Sequence, residues 1–312
     1  MIEALPVFPE FRVFTIDDIP SYYRYYLEQG FSPYADIHPE NLFIWLNIHN
    51  DLMISNLNNT IIIRYTNILD DNKINIIPLA NPLNDTIVEK IMAYMKENNL
   101  PLELHEIPSV ICNELDQKKW DIKDDRDSYE YIIDTGQQSG IKGSSFRHQR
   151  NRVSFFERKH VNDIIDVQFY KNFDYEIKEA FLHHITTMPF NSSDDAAKQN
   201  CIEPIAILKN LEYASFFNKK ALIMKINGET VALAMISYLD ENTAAINHLK
   251  VDYSVQYAFQ YTIYQLAKIL KEDNIHEMNI EQDMGIDGLR TFKERLQPSR
   301  FLEKKMIYPR CD

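Results

Sequence analysis

The chain has 312 residues, of which 45% are apolar and 25% charged, as in a folded globular protein of about two domains. Its 7 glycines do not form a two-glycine phosphate loop, which argues against kinases, ATPases and nicotinamide dehydrogenases. The net charge of −13 lies in residues 1–135, and the rest of the chain is neutral overall. One interpretation is an acidic, soluble surface on the first half. The other is that the halves are separate domains and that only the second can bind a polyanion.

The first half is predicted to alternate helices with short strands. Runs of β-branched residues between polar residues indicate strands, and apolar residues at helical spacing indicate helices, as at positions 87, 88, 91, 92 and 95. The predicted helices are 17–29, 39–47, 85–98 and 109–115, and the predicted strands are 60–65, 74–79, 102–107 and 128–134.

Glycines at 136, 140 and 143 predict a linker at 136–145 between a module at 1–135 and a second at 146–312. In the second module, polar turns separate three consecutive strands, which predicts an antiparallel meander with a long helix packed across it. The predicted helices are 144–160, 174–186, 202–213, 254–272 and 286–296, and the predicted strands are 166–170, 221–227, 230–239, 243–251, 277–280 and 301–307.

This order of elements is typical of a GNAT-type acyltransferase fold, and the first half can be interpreted in the same order. We therefore predict an α+β protein of two tandem GNAT-like modules, each a central, mostly antiparallel sheet flanked by helices. The acidic module comes first, and the second carries the predicted active site.

One candidate site lies at the strand-to-helix turn bracketed by Gly285 and Gly288. The amino terminus of the following helix can bind an anion, and Arg290 and Lys293 are neighbours on one face of that helix. Asp283, just before the turn, is a further candidate for binding substrate or phosphate. The alternative is a capped, solvated helix with ordinary surface charges.

A second candidate site is a basic helix that begins after Lys142. Arg147, Arg150 and Arg158 fall on one side of it, opposite Val153 and Phe156. Such a stripe can contact the phosphates of a tRNA end or another anionic substrate, although a solvated surface helix has the same pattern.

The third candidate is the segment that begins at Gln256, where ordinary N-acetyltransferases have a glycine loop that binds the pyrophosphate of coenzyme A. Gln256 is present, but Phe259 and Tyr261 occupy the glycine positions. Their side chains are expected to crowd a pyrophosphate, which disfavours acyl-CoA as the donor.

The segment GLRTFKERLQP, from Gly288 to Pro298, resembles the carboxyl-terminal motif of bacterial phosphatidylglycerol lysyltransferases. The longer Glu-x-Asp-x-Gly-x-x-Gly-Leu-Arg pattern from Glu281 is similar to their stand-alone relatives. The likeness continues upstream in KGSSFRHQRNR from Lys142, DRDSYEY from Asp125 and NLFIW from Asn41, and thus covers nearly the whole chain. Fem-type aminoacyl transferases share the tandem layout.

The resemblance implies transfer of an aminoacyl group from aminoacyl-tRNA to an amine or hydroxyl acceptor. It makes Lys293 the family's essential lysine, and it places Lys250 and Asn247 where the lysyltransferases have a functional arginine and an aspartate. The aspartate is thought to read the cationic amino acid, so Asn247 argues against lysine as the donor. The acceptor, whether lipid, peptide or small molecule, stays open, as does a peripheral contact with a membrane.

Little further chemistry is required, because an aminoacyl ester is already activated. The acceptor needs positioning, and Lys293 can stabilise the developing oxyanion. No cofactor and no metal site are predicted, since no metal-ligand spacing occurs. The alternatives are a CoA-dependent N-acyltransferase with acyl-CoA as donor, and a catalytically degenerate double-GNAT module that only binds a partner.

A cytoplasmic location is expected from three scattered cysteines, Cys112, Cys201 and Cys311, which suit a reducing compartment. The sequence begins without the pattern of a signal peptide, and no apolar run approaches the length of a membrane span.

Overall fold

The computed structural model describes residues 5–67, 70, 72–187 and 194–310, of which 184–187 and 194–201 are described by their backbone alone. The side chain of Cys201 and the whole of Cys311 lie outside the described residues. The strands are β1 (Arg12–Val13), β2 (Met53–Leu57), β3 (Thr60–Thr66), β4 (Ile74–Leu79), β5 (Leu104–Pro108), β6 (Trp120–Asp124), β7 (Glu130–Asp134), β8 (Ile165–Tyr170), β9 (Lys220–Ile226), β10 (Glu229–Tyr238), β11 (Thr243–Val251), β12 (Glu277–Gln282), β13 (Arg300–Leu302) and β14 (Lys304–Pro309). The α-helices are α1 (Ile19–Glu28), α2 (Pro39–Asn41), α3 (Asp85–Glu97), α4 (Thr135–Gly140), α5 (Arg147–Lys159), α6 (Tyr175–Thr187), α7 (Asp194–Tyr213), α8 (Ala258–Glu272) and α9 (Asp287–Glu294).

The chain divides into two compact units, and the division differs from the predicted modules. The last strand, β14, pairs antiparallel with β5 and β6 and so belongs with the early part of the chain. The pairing of β14 with strands far away in sequence could not be predicted, because a local sequence pattern does not show which strands pair. The first unit comprises Met1–Glu130, Gln282–Gly285 and Leu302–Asp312, and the second comprises Tyr131–Glu281 and Ile286–Phe301.

The first unit contains an antiparallel sheet in the order β1-β2-β3-β4 and a smaller one in the order β5-β14-β6. Helix α3 follows β4, and Asn84 caps it by accepting a hydrogen bond from the backbone N–H of Ile87 at 3.1 Å. The apolar stripe predicted for this helix is confirmed, since its members are all buried: Ile87, Val88, Ile91, Met92 and Met95.

The second unit is built on a sheet in the order β13-β7-β12-β11-β10-β9-β8. The predicted meander is confirmed, because β9, β10 and β11 pair antiparallel in succession. Alternate residues of these strands face opposite sides. Leu222 and Ala234 share one core with α5 and α8, whereas Ile223 and Leu233 share another with α6 and α7.

Residues 136–145, predicted to be a linker, contain α4 instead. The Asp134 side chain caps this helix by accepting a hydrogen bond from the N–H of Gln137 at 2.7 Å, and the Thr135 hydroxyl donates to the carbonyl of Ile275 at 2.7 Å. Capping and tertiary contacts therefore outweigh the low helix propensity of the glycines.

Within the described part of the chain, no helix has the length and apolar character needed to cross a membrane.

Candidate active site

The site begins where β11 and β12 separate. These strands run parallel, and their pairing ends at Ala245↔Asn279, although β11 continues to Val251 and β12 to Gln282. Diverging carboxyl ends of neighbouring parallel strands form a crevice, which is a common ligand position in sheets with parallel strands.

A β-bulge in β11 lies beside this crevice. Met235 of β10 pairs with His248 and Ile236 pairs with Ile246, so Asn247 is the extra residue. Such a bulge increases local twist and redirects side chains. As a result, the side chains of both Asn247 and His248 project from the sheet face that α7 covers.

Asn247 belongs to a buried polar cluster with Lys219 and Ser237, which are 5%, 0% and 1% exposed respectively. The Lys219 ammonium donates to Ser237 Oγ at 2.5 Å and to Asn247 Oδ1 at 2.8 Å, and Ser237 Oγ donates to Asn247 Oδ1 at 2.6 Å. Asn247 Nδ2 lies 3.5 Å from Glu281 Oε1. The cluster holds a positive charge in a dry setting, where it acts more strongly than in water.

His248 and Lys250 form a second cluster with Glu203 of α7. Lys250 Nζ donates to Glu203 Oε2, His248 Nδ1 lies 3.8 Å from Glu203 Oε1, and Asn210 Nδ2 lies 3.0 Å from His248 Nε2. Burial raises the pKa of Glu203, but the neighbouring His248 and the charge of Lys250 outweigh burial and lower it to about 2. Burial lowers the pKa of His248, so the imidazole is neutral at pH 7.

Lys293 lies on α9 and is 7% exposed. Its ammonium donates to the carbonyl of Ile280 at 2.6 Å and lies 5.8 Å from the centre of the Tyr131 ring. Ile280 follows Asn279, the last β12 residue paired with β11. The Lys293 ammonium is therefore fixed on β12 where the two strands separate.

Asp283 is fully buried in the first unit. Its carboxylate pairs with Arg126 at 3.1 Å and accepts from the N–H of Gly285 at 2.9 Å. A Cβ on Gly285 would lie 2.9 Å from Asp127, and this residue has φ +72°, so the turn requires glycine. These contacts give Asp283 a structural role in holding the turn, whereas Arg290 lies half-buried on α9.

The basic helix is present as α5, with Val153 and Phe156 buried as predicted. Arg147 and Arg158 are exposed, and so is Lys142 before the helix. Arg150 is turned inward, because it donates to the carbonyls of Ile141 at 2.6 Å and Gly143 at 3.1 Å. The outward stripe therefore consists of fewer cations than the helical spacing predicts.

Helix α8 begins later than predicted, since Gln256 lies exposed in the turn before it and Tyr257 has φ +66°. The Phe259 ring packs edge-on against Phe292 at 4.4 Å, and the Tyr261 ring stacks on Phe156 at 4.3 Å. Both rings thus fill helix interfaces at the positions where acetyltransferases have glycine.

The model of the phosphatidylglycerol lysyltransferase carboxyl-terminal family matches residues 57–308. The chain belongs to this family. The family and the GNAT-type fold together place the chain among acyltransferases, and the predicted fold of two tandem GNAT-like modules is confirmed.

Solved structures agree on the fold. A conserved protein of unknown function from Bacteroides thetaiotaomicron has a TM-score of 0.76 at 19% identity, over 98% of this chain and 100% of that one. The L-PGS of Bacillus licheniformis has a TM-score of 0.58 at 13% identity, over 96% and 93%. FemX has a TM-score of 0.50 at 9% identity, over 96% and 97%. Among curated proteins, none matches the chain in sequence.

The structure of this lysyltransferase-family chain adds residues that sequence reasoning missed, namely Lys219, Ser237, Glu203 and Glu281. Polar residues inside otherwise apolar strands were the available signal, as at Ser237 within β10. Among the described residues, no group of three or more histidine, cysteine or acidic side chains is arranged to hold a metal ion.

Proposed function

We propose that this chain transfers an aminoacyl group from aminoacyl-tRNA to an amine or hydroxyl acceptor at the crevice between β11 and β12. The observation that carries the proposal is the position of Lys293, whose buried ammonium bonds the backbone of Ile280 beside the separation of the strands. The family match supports the reaction class.

In the proposed reaction the acceptor attacks the ester carbonyl carbon, and the electron pair of the C=O bond moves to oxygen. The Lys293 ammonium donates a hydrogen bond to that oxyanion. The carbonyl then re-forms, the ester C–O bond breaks, and the ribose hydroxyl leaves with the proton that the acceptor has lost. No protein nucleophile is needed, since the ester is already activated.

The donor amino acid is proposed to have an uncharged or acidic side chain. Asn247 Oδ1 already accepts a hydrogen bond from the Lys219 ammonium at 2.8 Å. A cationic side chain brought to Asn247 would meet this buried like charge, and repulsion between like charges is strong in a dry site.

The test is to incubate the protein with a pool of tRNAs charged with labelled amino acids and with a cell extract, and to follow label that moves from tRNA to other products, separated by chromatography. We expect transfer by the wild type and a loss of about 10²–10³ in rate for Lys293→Ala, the usual effect of removing one oxyanion donor. Lys271→Ala, at the exposed end of α8, is the matched control. Transfer from labelled acyl-CoA without transfer from tRNA would contradict the proposal.

A further inference from the structure

A cavity of about 220 Å³ lies in the second unit between α5, the beginning of α8 and the end of α9. It is smaller than the cavities of about 300–1,000 Å³ that enclose drug-sized ligands, so its size suits one planar ring system. Its main lining residues are Gln149, Arg152, Tyr257, Gln260, Phe292 and Arg295.

Gln149 supplies the cavity with an unpaired acceptor. The residue is 4% exposed, and its Nε2 donates to the carbonyl of Arg295 at 3.3 Å. Its Oε1 has no hydrogen-bond partner among the described residues. Buried polar atoms are almost always paired in native proteins, because leaving one unpaired is unfavourable. A ligand with a hydrogen-bond donor would satisfy this atom.

The cavity is also positively charged and has aromatic walls. Arg152 and Arg295 both line the cavity, and Arg152 lies over the Tyr257 ring at 5.8 Å. The amino terminus of α8, a helix of 15 residues, adds a positive end of its dipole. Tyr257 holds a left-handed φ of +66°, and such strain is concentrated at functional sites.

We propose that this cavity binds a phosphorylated adenine nucleoside. The exocyclic amino group of the base donates to Gln149 Oε1, the rings of Tyr257 and Phe292 contact the base, and Arg152 and Arg295 pair with its phosphate. The inference rests on the proposed function for its source, the terminal adenosine of aminoacyl-tRNA. Coenzyme A offers the same chemistry, and the experiment separates the two.

The first measurement compares binding of AMP and IMP to the wild-type protein. IMP has an oxygen acceptor where AMP has the amino group, so Gln149 Oε1 stays unpaired in its complex. We expect AMP to bind about tenfold more tightly, the factor for one buried hydrogen-bond partner. Equal affinity for AMP and IMP would overturn the inference without any need for a variant.

Variants assign the residues. Gln149→Met should remove the preference for AMP over IMP, whereas Arg152→Ala should weaken both nucleotides by a similar factor. Lys271→Ala removes one positive charge at the opposite end of α8 and should leave both affinities unchanged. A preference for AMP that persists in Gln149→Met would overturn the assignment of the base to this cavity.

The source is tested with an RNA hairpin ending in CCA, the same hairpin ending in inosine, and coenzyme A. Tighter binding of the adenosine-ended hairpin, lost in Gln149→Met, supports both the cavity and the tRNA donor. Preference for coenzyme A over the hairpin keeps the adenine cavity and contradicts the proposed donor. If the rate of aminoacyl transfer is the same whether the RNA ends in adenosine or in inosine, the proposed function stands and the inference about the cavity is overturned.

Discussion

Replacing Glu203 by glutamine should remove the part of the acid sensitivity of folding that comes from this carboxylate. In the folded chain the carboxylate accepts from Lys250 and lies 3.8 Å from His248 Nδ1. Burial raises its pKa, but these two partners lower it from 4.5 to about 2. Glutamine keeps the size of the side chain and removes the charge.

The lowered pKa corresponds to about 3 kcal/mol of stabilisation, at about 1.4 kcal/mol per pKa unit. Because the folded-state pKa is below the unfolded one, the contribution is complete above about pH 4.5 and is lost as the pH falls to about 2. His248 adds an earlier loss. Burial lowers its pKa in the folded chain, so below about pH 6.5 protons bind preferentially to the unfolded chain.

The assay is the free energy of unfolding in urea for wild type and Glu203→Gln at pH 7, 5.5, 4 and 3. The difference should be about 3 kcal/mol at pH 7 and should shrink as the pH falls below about 4.5. Glu157→Gln, an exposed position on α5, serves as the control and should change little. A difference that is the same at pH 7 and pH 3 would refute the ionic explanation.

Three further predictions concern charge. Asn247→Asp adds a negative charge beside Lys219 and should raise transfer from lysyl-tRNA relative to other donors by about tenfold, measured by competition in a pool of charged tRNAs. An unchanged ratio would contradict the proposal that Asn247 and Lys219 select against a cationic donor. Arg147→Ala should reduce the salt slope of tRNA binding, about −2 to −3 in wild type, by about one unit across a salt series, and identical slopes would mean that the exposed face binds no phosphate. Lys304→Met removes the buried cation that pairs with Asp36 and Glu130, and it should destabilise the chain by about 3–5 kcal/mol in urea unfolding; a loss below about 1 kcal/mol would contradict an ion pair that supports the fold.

The elements with strong local patterns were predictable from the sequence. The meander of β9, β10 and β11 follows from β-rich runs joined by polar turns, and α3 follows from its apolar stripe. The family resemblance carried by residues 288–298 is confirmed by the family match. Each of these signals lies within a short stretch of chain, because the residues that determine these features are close together in sequence.

The remaining features depend on partners that are distant in sequence. Lys219 stands before an apolar strand and has the pattern of a solvated flank, yet it is fully buried against Asn247. Glu203 becomes part of the site only because α7 packs over β11. The glycines around residue 136 predict a linker, but the segment is helical. The hydrogen bond from Thr135 to the carbonyl of Ile275 helps to hold it, and local propensity contains no information about that contact.

The two units share one local arrangement of an asparagine and a glutamate, which supports the fold of two tandem modules. In the first unit, Asn75 on the third strand of a meander donates from Nδ2 to Glu106 Oε1 at 3.1 Å. In the second, Asn247 on the third strand of its meander lies 3.5 Å from Glu281 Oε1 through the same atoms. Glu106 lies in β5, the strand after α3, and Glu281 lies in β12, the strand after α8; their φ angles are +60° and +59°. A left-handed residue other than glycine costs about 1–2 kcal/mol, so its presence in both units is a shared feature rather than an accident of one loop.

The surroundings of the repeated pair then distinguish the units. In the first, the buried Lys304 ammonium lies 3.0 Å from Glu130 Oε1 and also pairs with Asp36. Burial lowers the pKa of Lys304, but Asp36, Glu130 and Glu106 raise it well above its usual range, so this ammonium stays charged and locked among carboxylates. In the second unit, the Lys219 ammonium donates to the Ser237 hydroxyl and to the amide oxygen of Asn247. Each unit therefore buries a lysine near the repeated pair, but in different surroundings: among carboxylates in the first unit, and against an amide and a hydroxyl in the second.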